Sequence, residues 1–295
     1  MNKDMPASQG AFLETKEYRR FAEFCDACRQ HRYIGLCHGF PGVGKTLSAW
    51  QYAHWQLIQP YFPERFYGEY RLTAIERVIA NTIATIPAPL PPEIRRCQSI
   101  LYTPAVTNSP LRVEQEIRAL RLALSYLVDT VQSGPSQEPS EELASRRVLP
   151  DPTDLIIIDE TDRLKTATLE QIRDIYDHGN IGMVLIGMPG LEKRLSRYPQ
   201  LYSRVGFVHE FRALNAEESR VFLEQQWHHW GLTLHPESAT EAEAIAAIIR
   251  ITNGNFRLLH RLLAQIERIA DINALRMVTK EVVEIARQQL VIGSS

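Results

Sequence analysis

Gly39-Phe40-Pro41-Gly42-Val43-Gly44-Lys45-Thr46 is a complete G-x-x-x-x-G-K-[ST] stretch, and its setting decides the fold. It follows a short apolar run, Tyr33-Ile34-Gly35-Leu36-Cys37, and precedes a helix-compatible stretch from Leu47 to Leu57. Strand, loop and helix in that order are the context in which this spacing makes a phosphate-binding loop. The glycines let backbone N–H groups close around a phosphate, Lys45 reaches the β- and γ-phosphates, and the Thr46 hydroxyl suits Mg²⁺. The stretch therefore predicts a site for ATP and Mg²⁺, contacted by Gly39, Pro41, Gly42, Val43, Gly44, Lys45, Thr46 and Leu47.

Outward from the loop, apolar runs alternate with helical patterns. Ser99–Tyr102, Leu155–Ile158, Ile181–Ile186 and Phe207–Phe211 read as strands, and Leu111–Val131 as a long helix. Leu155-Ile156-Ile157-Ile158 is continuous and β-branched, as in a strand covered on both faces of a parallel sheet. Alternating strands and helices predict an α/β fold with a doubly wound parallel sheet flanked by helices. Residues 60–98 are rich in proline and aromatics, with a helix near Leu72–Thr85, and residues 132–153 form a polar, mobile surface loop. Thr15 is placed to cap a helix over 15–29. After Leu214 the strand pattern stops. Asn215-x-x-Glu218 is a capping box, and helical patterns follow near 237–251, 255–270 and 276–290. The predicted domains are a nucleotide-binding α/β domain at 1–213 and a helical lid domain at 214–295.

Asp159-Glu160 closes the apolar run at 155–158. Carboxylates at the carboxyl edge of a central parallel strand lie beside a phosphate loop. Asp159 is the candidate Mg²⁺ holder with Thr46, and Glu160 the candidate base for the attacking water. Asp162 reads more readily as a helix cap than as a ligand. Arg204, just before the last strand, can act as a finger in a neighbour's site, with Arg194 and Arg197 as competitors. Arg257, in Asn253-Gly254-Asn255-Phe256-Arg257, could reach back to the γ-phosphate.

Composition narrows the function classes. The 295 residues carry 33 Lys+Arg and 35 Asp+Glu, so any nucleic-acid contact must come from a local patch. Four cysteines are too few for a disulfide scaffold. Cys25-x-x-Cys28 has metal-like spacing but no second ligand pair, which favours reduced thiols. No apolar stretch is long enough for a membrane span, and the N-terminus has no secretory pattern, so a cytoplasmic location is expected.

Together these motifs resemble the AAA+ ATPases, and within them the target-selection ATPases of DNA transposition: the TniB and TnsC proteins and the B protein of phage Mu. The likeness is carried by Leu155-Ile-Ile-Ile-Asp-Glu-Thr-Asp-Arg-Leu164, Gly182-Met-Val-Leu-Ile-Gly-Met-Pro-Gly-Leu191, Arg197-Tyr-Pro-Gln-Leu-Tyr-Ser-Arg-Val-Gly-Phe207 and Tyr102-Thr-Pro-Ala-Val-Thr-Asn-Ser-Pro110. It covers about residues 15–270. The resemblance implies an ATPase that oligomerises on double-stranded DNA as a ring or helical filament. It also implies recruitment of a transposase, with a TniQ-type adaptor as a further partner. It makes Glu160 and Lys45 catalytic, Arg204 the arginine finger and Arg257 the second sensor. It maps the DNA-facing segment to Thr103–Arg121, with Thr103, Arg112, Arg118 and Arg121 as candidate contacts. Gly187-Met188 stands where many such ATPases carry a polar first sensor, which predicts slow hydrolysis. Two alternatives remain at this point: a replication helicase loader of the IstB or DnaC type, and a signalling NTPase switch without DNA binding.

Overall fold

The computed structural model describes residues 12–62, 79, 89–133, 149–229, 238–275 and 277–290. Five short strands form one sheet: β1 (Ile34–His38), β2 (Ser99–Tyr102), β3 (Leu155–Ile158), β4 (Gly182–Gly187) and β5 (Val205–Glu210). Their order is β2-β3-β4-β1-β5 and every pairing is parallel. Parallel neighbours cannot be joined by tight turns, so each connection must cross a face of the sheet. Helix α1 (Lys16–His31) precedes β1, and the crossing segments include α2 (Lys45–Tyr52), α3 (Trp55–Ile58), α4 (Pro110–Ser133), α5 (Thr166–His178), α6 (Leu191–Leu195) and α7 (Pro199–Tyr202). Covering both faces explains why β2, β3 and β4 are buried at every position. β5, at an edge, alternates between half-buried and exposed residues. This is the parallel α/β architecture that the sequence predicts, and it puts the carboxyl end of β1 at the same strand edge as the residues ending β3 and β4.

The chain divides into two compact units. The larger comprises Arg20–Gly39 and Thr46–Glu210; the smaller comprises the segment up to Arg19, Phe40–Lys45, and the chain from Phe211 onward. The smaller unit is built on α8 (Ala216–His229), α9 (Ala239–Thr252), α10 (Phe256–Ile272) and α11 (Lys280–Gln288). Leu223, Trp227, Ile248, Leu259, Leu262, Ile266 and Val283 fill its core. The capping box forms as its sequence predicts. The Glu218 N–H donates to Asn215 Oδ1 at 2.8 Å, and the Asn215 N–H donates to Glu218 Oε2 at 3.1 Å. Thr15 likewise accepts from the Tyr18 N–H at 3.0 Å and caps α1.

The sequence reading assigns the start of α1 and the phosphate loop to the domain 1–213, whereas the structure groups them with the helices. Hydrogen bonds supply the reason. The Lys16 N–H donates to Glu218 Oε1 at 2.9 Å, and the Arg257 N–H donates to the Gly42 carbonyl at 2.9 Å. Apart from Ile79, the helix expected near Leu72–Thr85 lies outside the described residues, as does most of the polar loop expected at 132–153.

Cys25, Cys28, Cys37 and Cys97 are all buried and unbridged. Burial pushes the Cys28 thiol up to about 12, which keeps it protonated. No cluster able to hold a metal through three His, Cys, Asp or Glu side chains occurs among the described residues. Cys25 and Cys28 instead serve as packing residues where α1 lies close on the sheet.

That close approach depends on glycine. A Cβ at Gly182 would meet the Cys28 carbonyl oxygen at 2.5 Å, and one at Gly35 would meet Cys28 Sγ at 2.3 Å. At Gly182 the obstacle is helix backbone, which cannot rotate away. Gly182→Ala should therefore destabilise the larger unit by about 2 kcal/mol, the scale of core overpacking. Thermal unfolding checks this, and an unchanged midpoint contradicts the packing account.

Candidate functional site

In the larger unit, the carboxylate that ends β3 is the centre of a small hydrogen-bonded cluster. The Thr46 hydroxyl donates to Asp159 Oδ2 at 2.6 Å, across 113 positions of sequence. The Glu160 N–H donates to Asp159 Oδ1 at 2.8 Å. The Asp159 N–H itself donates to the Tyr102 carbonyl at 2.9 Å, which continues the β2–β3 ladder one residue past its end. Asp159 is buried, whereas Glu160 and Thr46 are exposed. Thr46 Oγ1 and Asp159 Oδ2 thus form an adjacent pair of hard oxygen donors, the kind a small divalent cation takes.

Glu160 sits in the left-handed region, at φ 53° and ψ 40°. A non-glycine residue held there is uncommon and costs conformational energy, and such residues cluster at functional positions. The short turn that follows, Thr161–Arg163, is held from two sides. On one side, Arg194 donates to the carbonyls of Thr161 and Leu164. On the other, Arg163 Nη1 donates to the Pro104 carbonyl at 3.1 Å, while the Arg163 carbonyl accepts from Asn108 Nδ2 at 3.1 Å. Asn108 also donates to the Ala105 carbonyl at 2.9 Å, and its Oδ1 accepts from the Thr168 hydroxyl at 3.1 Å. The loop after β2 is thereby stitched to the turn that carries Glu160. Thr103, Val106 and Thr107 remain exposed on that loop.

Asp162 is not a helix cap. Its Oδ2 accepts from the Met188 N–H at 2.7 Å, just past the end of β4. A Cβ at Gly187 would meet Asp162 Oδ2 at 2.6 Å, so the missing side chain at 187 is what admits the carboxylate. Sequence reasoning saw only a gap at Gly187. The acid that fills it comes from 25 positions earlier, and only the tertiary fold reveals the match.

In the smaller unit, the phosphate loop has the backbone that its glycines predict, with Gly42 at φ 81° and Gly44 at φ 112°. Both angles favour glycine strongly, and successive N–H groups in such a turn make an anion-binding concavity. Lys45 Nζ donates to the Phe40 carbonyl at 2.8 Å. The Arg257 N–H donates to the Gly42 carbonyl, and the Arg257 side chain is exposed. Asn255, which the sequence reading passed over for Arg257, donates from Nδ2 to the Pro41 carbonyl at 2.9 Å. Its position immediately before the Phe256–Ile272 helix was the available signal.

The structure disperses the remaining candidates. Arg204 is held in its own chain by a two-pronged contact with Asp177, Nε to Oδ1 at 2.5 Å and Nη2 to Oδ2 at 2.7 Å, and it also donates to the Gln200 carbonyl. That hydrogen bond holds the Asp177 carboxyl below the usual carboxylate range. Arg194, offered as a competitor for the finger role, is committed to the Thr161–Arg163 turn. Of the DNA candidates, Arg112 pairs with Glu116 at 2.9 Å and Arg121 with Asp151 at 2.7 Å, while Arg118 and Thr103 are exposed. Glu116 lies four residues beyond Arg112, so that pair was legible as an i,i+4 match.

The AAA domain family pattern matches residues 28–195, more than half of the chain. The chain belongs to the AAA family. A relative from Staphylococcus aureus described as a potential ATP-binding protein is 44% identical over 288 residues, covering 96% of this chain and 97% of its own length. Among solved structures, the RuvB Holliday junction branch migration motor of Thermotoga maritima superposes with a TM-score of 0.50 at 14% identity, covering 94% of this chain and 70% of that one. Domain III of the Thermotoga maritima replication initiation protein DnaA gives a TM-score of 0.50 at 14% identity, covering 94% and 93%. At that identity the likeness concerns the fold. This AAA protein thus has an AAA+ fold. Among the described residues no helix is long and apolar enough to cross a membrane.

Proposed function

We propose that this AAA protein is an ATP-hydrolysing switch that oligomerises on duplex DNA and recruits or activates a transposase there. Thr46 Oγ1 and Asp159 Oδ2 would hold Mg²⁺, which supplies charge neutralisation at the phosphates when bound. Lys45 would exchange its bond to the Phe40 carbonyl for a phosphate oxygen. The Glu160 carboxylate would take the proton of the attacking water, and the Asp159 bond to the Glu160 N–H fixes where that side chain starts. Arg204 would complete a neighbouring subunit's site after leaving Asp177, and Arg257 would sense the γ-phosphate. In this reading a transposase, and a TniQ-type adaptor that chooses the site, are the protein partners.

The observation that carries the reading is the double stitch between Arg163 and the loop after β2, through Pro104 and Asn108. It gives the turn bearing Glu160 a direct hydrogen-bonded link to an exposed segment rich in hydroxyls. Nucleotide state and DNA contact would then be coupled over a few residues. The transposition assignment is supported by the resemblance of residues 155–164, 182–191 and 197–207 to the TniB, TnsC and phage Mu B proteins, and of residues 102–110 to the TniB type. Thr103 and Arg118 are the exposed members of the DNA set. Arg112 and Arg121 would have to exchange carboxylate partners for phosphates.

Glu160→Gln should leave ATP affinity within a factor of about two and lower turnover by roughly 10²-fold or more, because an amide cannot accept the proton. Phosphate release at saturating ATP checks this, and wild-type turnover in the variant would remove Glu160 from the base role.

Binding to fluorescently labelled duplex at saturating non-hydrolysable ATP analogue should be sequence-tolerant and fall steeply with salt. Thr103→Ala combined with Arg118→Ala should weaken it on all sequences alike and reduce the salt slope by about 1 per subunit. Unchanged affinity and slope would take these residues out of the interface. Absence of analogue-dependent binding by the wild type at low salt would contradict the DNA function.

A further inference from the structure

The residues around Asn255 do more than begin a helix. Asn255 Oδ1 accepts from the Leu258 N–H at 3.2 Å and so caps α10. Its Nδ2 donates to the Pro41 carbonyl at 2.9 Å. Two residues on, the Arg257 N–H donates to the Gly42 carbonyl at 2.9 Å. The same short segment thus holds two consecutive carbonyls of the phosphate loop.

Peptide planarity turns this into a statement about donors. In a trans peptide the N–H of one residue points opposite to the carbonyl of the residue before it. Holding the Pro41 carbonyl toward α10 aims the Gly42 N–H away from it. Holding the Gly42 carbonyl does the same for the Val43 N–H. These are N–H groups of the anion-binding turn. The contact is tight enough to need Gly42 itself: a Cβ there would meet Asn255 Oδ1 at 2.6 Å and Arg257 Cβ at 2.9 Å.

The segment is in turn fixed from behind. Asn253 and Gly254 take φ of 45° and 70°. The Leu214 N–H donates to the Gly254 carbonyl at 3.0 Å. A Cβ at Gly254 would meet the Leu214 carbonyl oxygen at 1.9 Å. The α9–α10 turn therefore has little freedom to carry Asn255 away from Pro41.

We propose that Asn255 is a positioning residue for phosphate binding: its side-chain amide, with the Arg257 N–H, pre-aims the Gly42 and Val43 amides at the phosphates before nucleotide arrives. The proposal rests on the nucleotide-binding reading of the loop. It assigns the Asn253–Arg257 motif a role in shaping the loop itself, separate from any contact between the Arg257 side chain and the γ-phosphate. Preorganised donors bind more tightly because less ordering is left to the binding step.

The test is Asn255→Ser in the full chain. Serine keeps the cap acceptor but is too short to reach the Pro41 carbonyl. Affinity for fluorescent ADP, which lacks the γ-phosphate, should fall roughly 3- to 10-fold, the scale of one lost neutral hydrogen bond. Without nucleotide, hydrogen exchange in the 39–46 segment should quicken while α8–α11 keep their protection. Asn255→Asp keeps both cap and length but replaces the donor with an acceptor, and it should lose at least as much. Unchanged ADP affinity and loop exchange in the serine variant overturn the proposal. So does weaker binding accompanied by lost protection throughout α8–α11, since that is unfolding of the helices. Failure of the wild type to bind ADP would instead overturn the nucleotide reading itself.

Discussion

The hydrogen bond from the Thr46 hydroxyl to the Asp159 carboxylate ties together the two chain segments from which the proposed nucleotide chemistry draws its residues. Thr46 follows β1 and Asp159 follows β3, and in the sheet β4 lies between those strands. The bond can form only if all three strands run parallel and in register, so that their carboxyl ends share one edge. β3 and β4 are short and wholly apolar, β1 is apolar as far as His38, and covering both faces is what holds the edge in place. A buried carboxylate needs partners to compensate its lost hydration, and the hydroxyl and the Glu160 amide provide them. Fold and site therefore impose the same constraint.

From that carboxylate outward, each connection is specific. Glu160 is held in a left-handed backbone conformation, and the turn behind it is braced by Arg194 on one side and Asn108 on the other. Asp162 occupies the space left by the missing side chain at Gly187 and holds the start of the chain beyond β4. A polar group is thus supplied to the end of β4 from a different strand connection. In the proposed switch, strain at Glu160 and the brace at Asn108 are the features that would let hydrolysis be felt at the exposed loop after β2.

The sequence was most legible where chemistry is local. The phosphate loop, the continuous apolar run ending in Asp159-Glu160, the Thr15 cap and the Asn215–Glu218 box all follow from spacing within a few residues, and the strands were placed to within one or two positions. The site was less legible where partners lie far apart in the chain. Nothing near Asp162 points to Met188, and nothing near Asn255 points to Pro41. The arginines show both cases. Arg112 has its partner four residues on, in Glu116, and that pair could have been read as an ion pair on a helix. Arg121 finds Asp151 only because the chain returns to it. Arg204 stands just before the last strand, but its clasp by Asp177 depends on how α5 packs against α7.

In the proposed function, nucleotide controls assembly of this AAA protein on DNA. Electron microscopy of the full chain with duplex DNA, with and without a non-hydrolysable ATP analogue, tests it most directly. The account predicts ordered oligomers along the duplex with the analogue and none without it, and Lys45→Ala should give none in either condition. Isolated single chains in both conditions, or identical assemblies regardless of nucleotide, would contradict it.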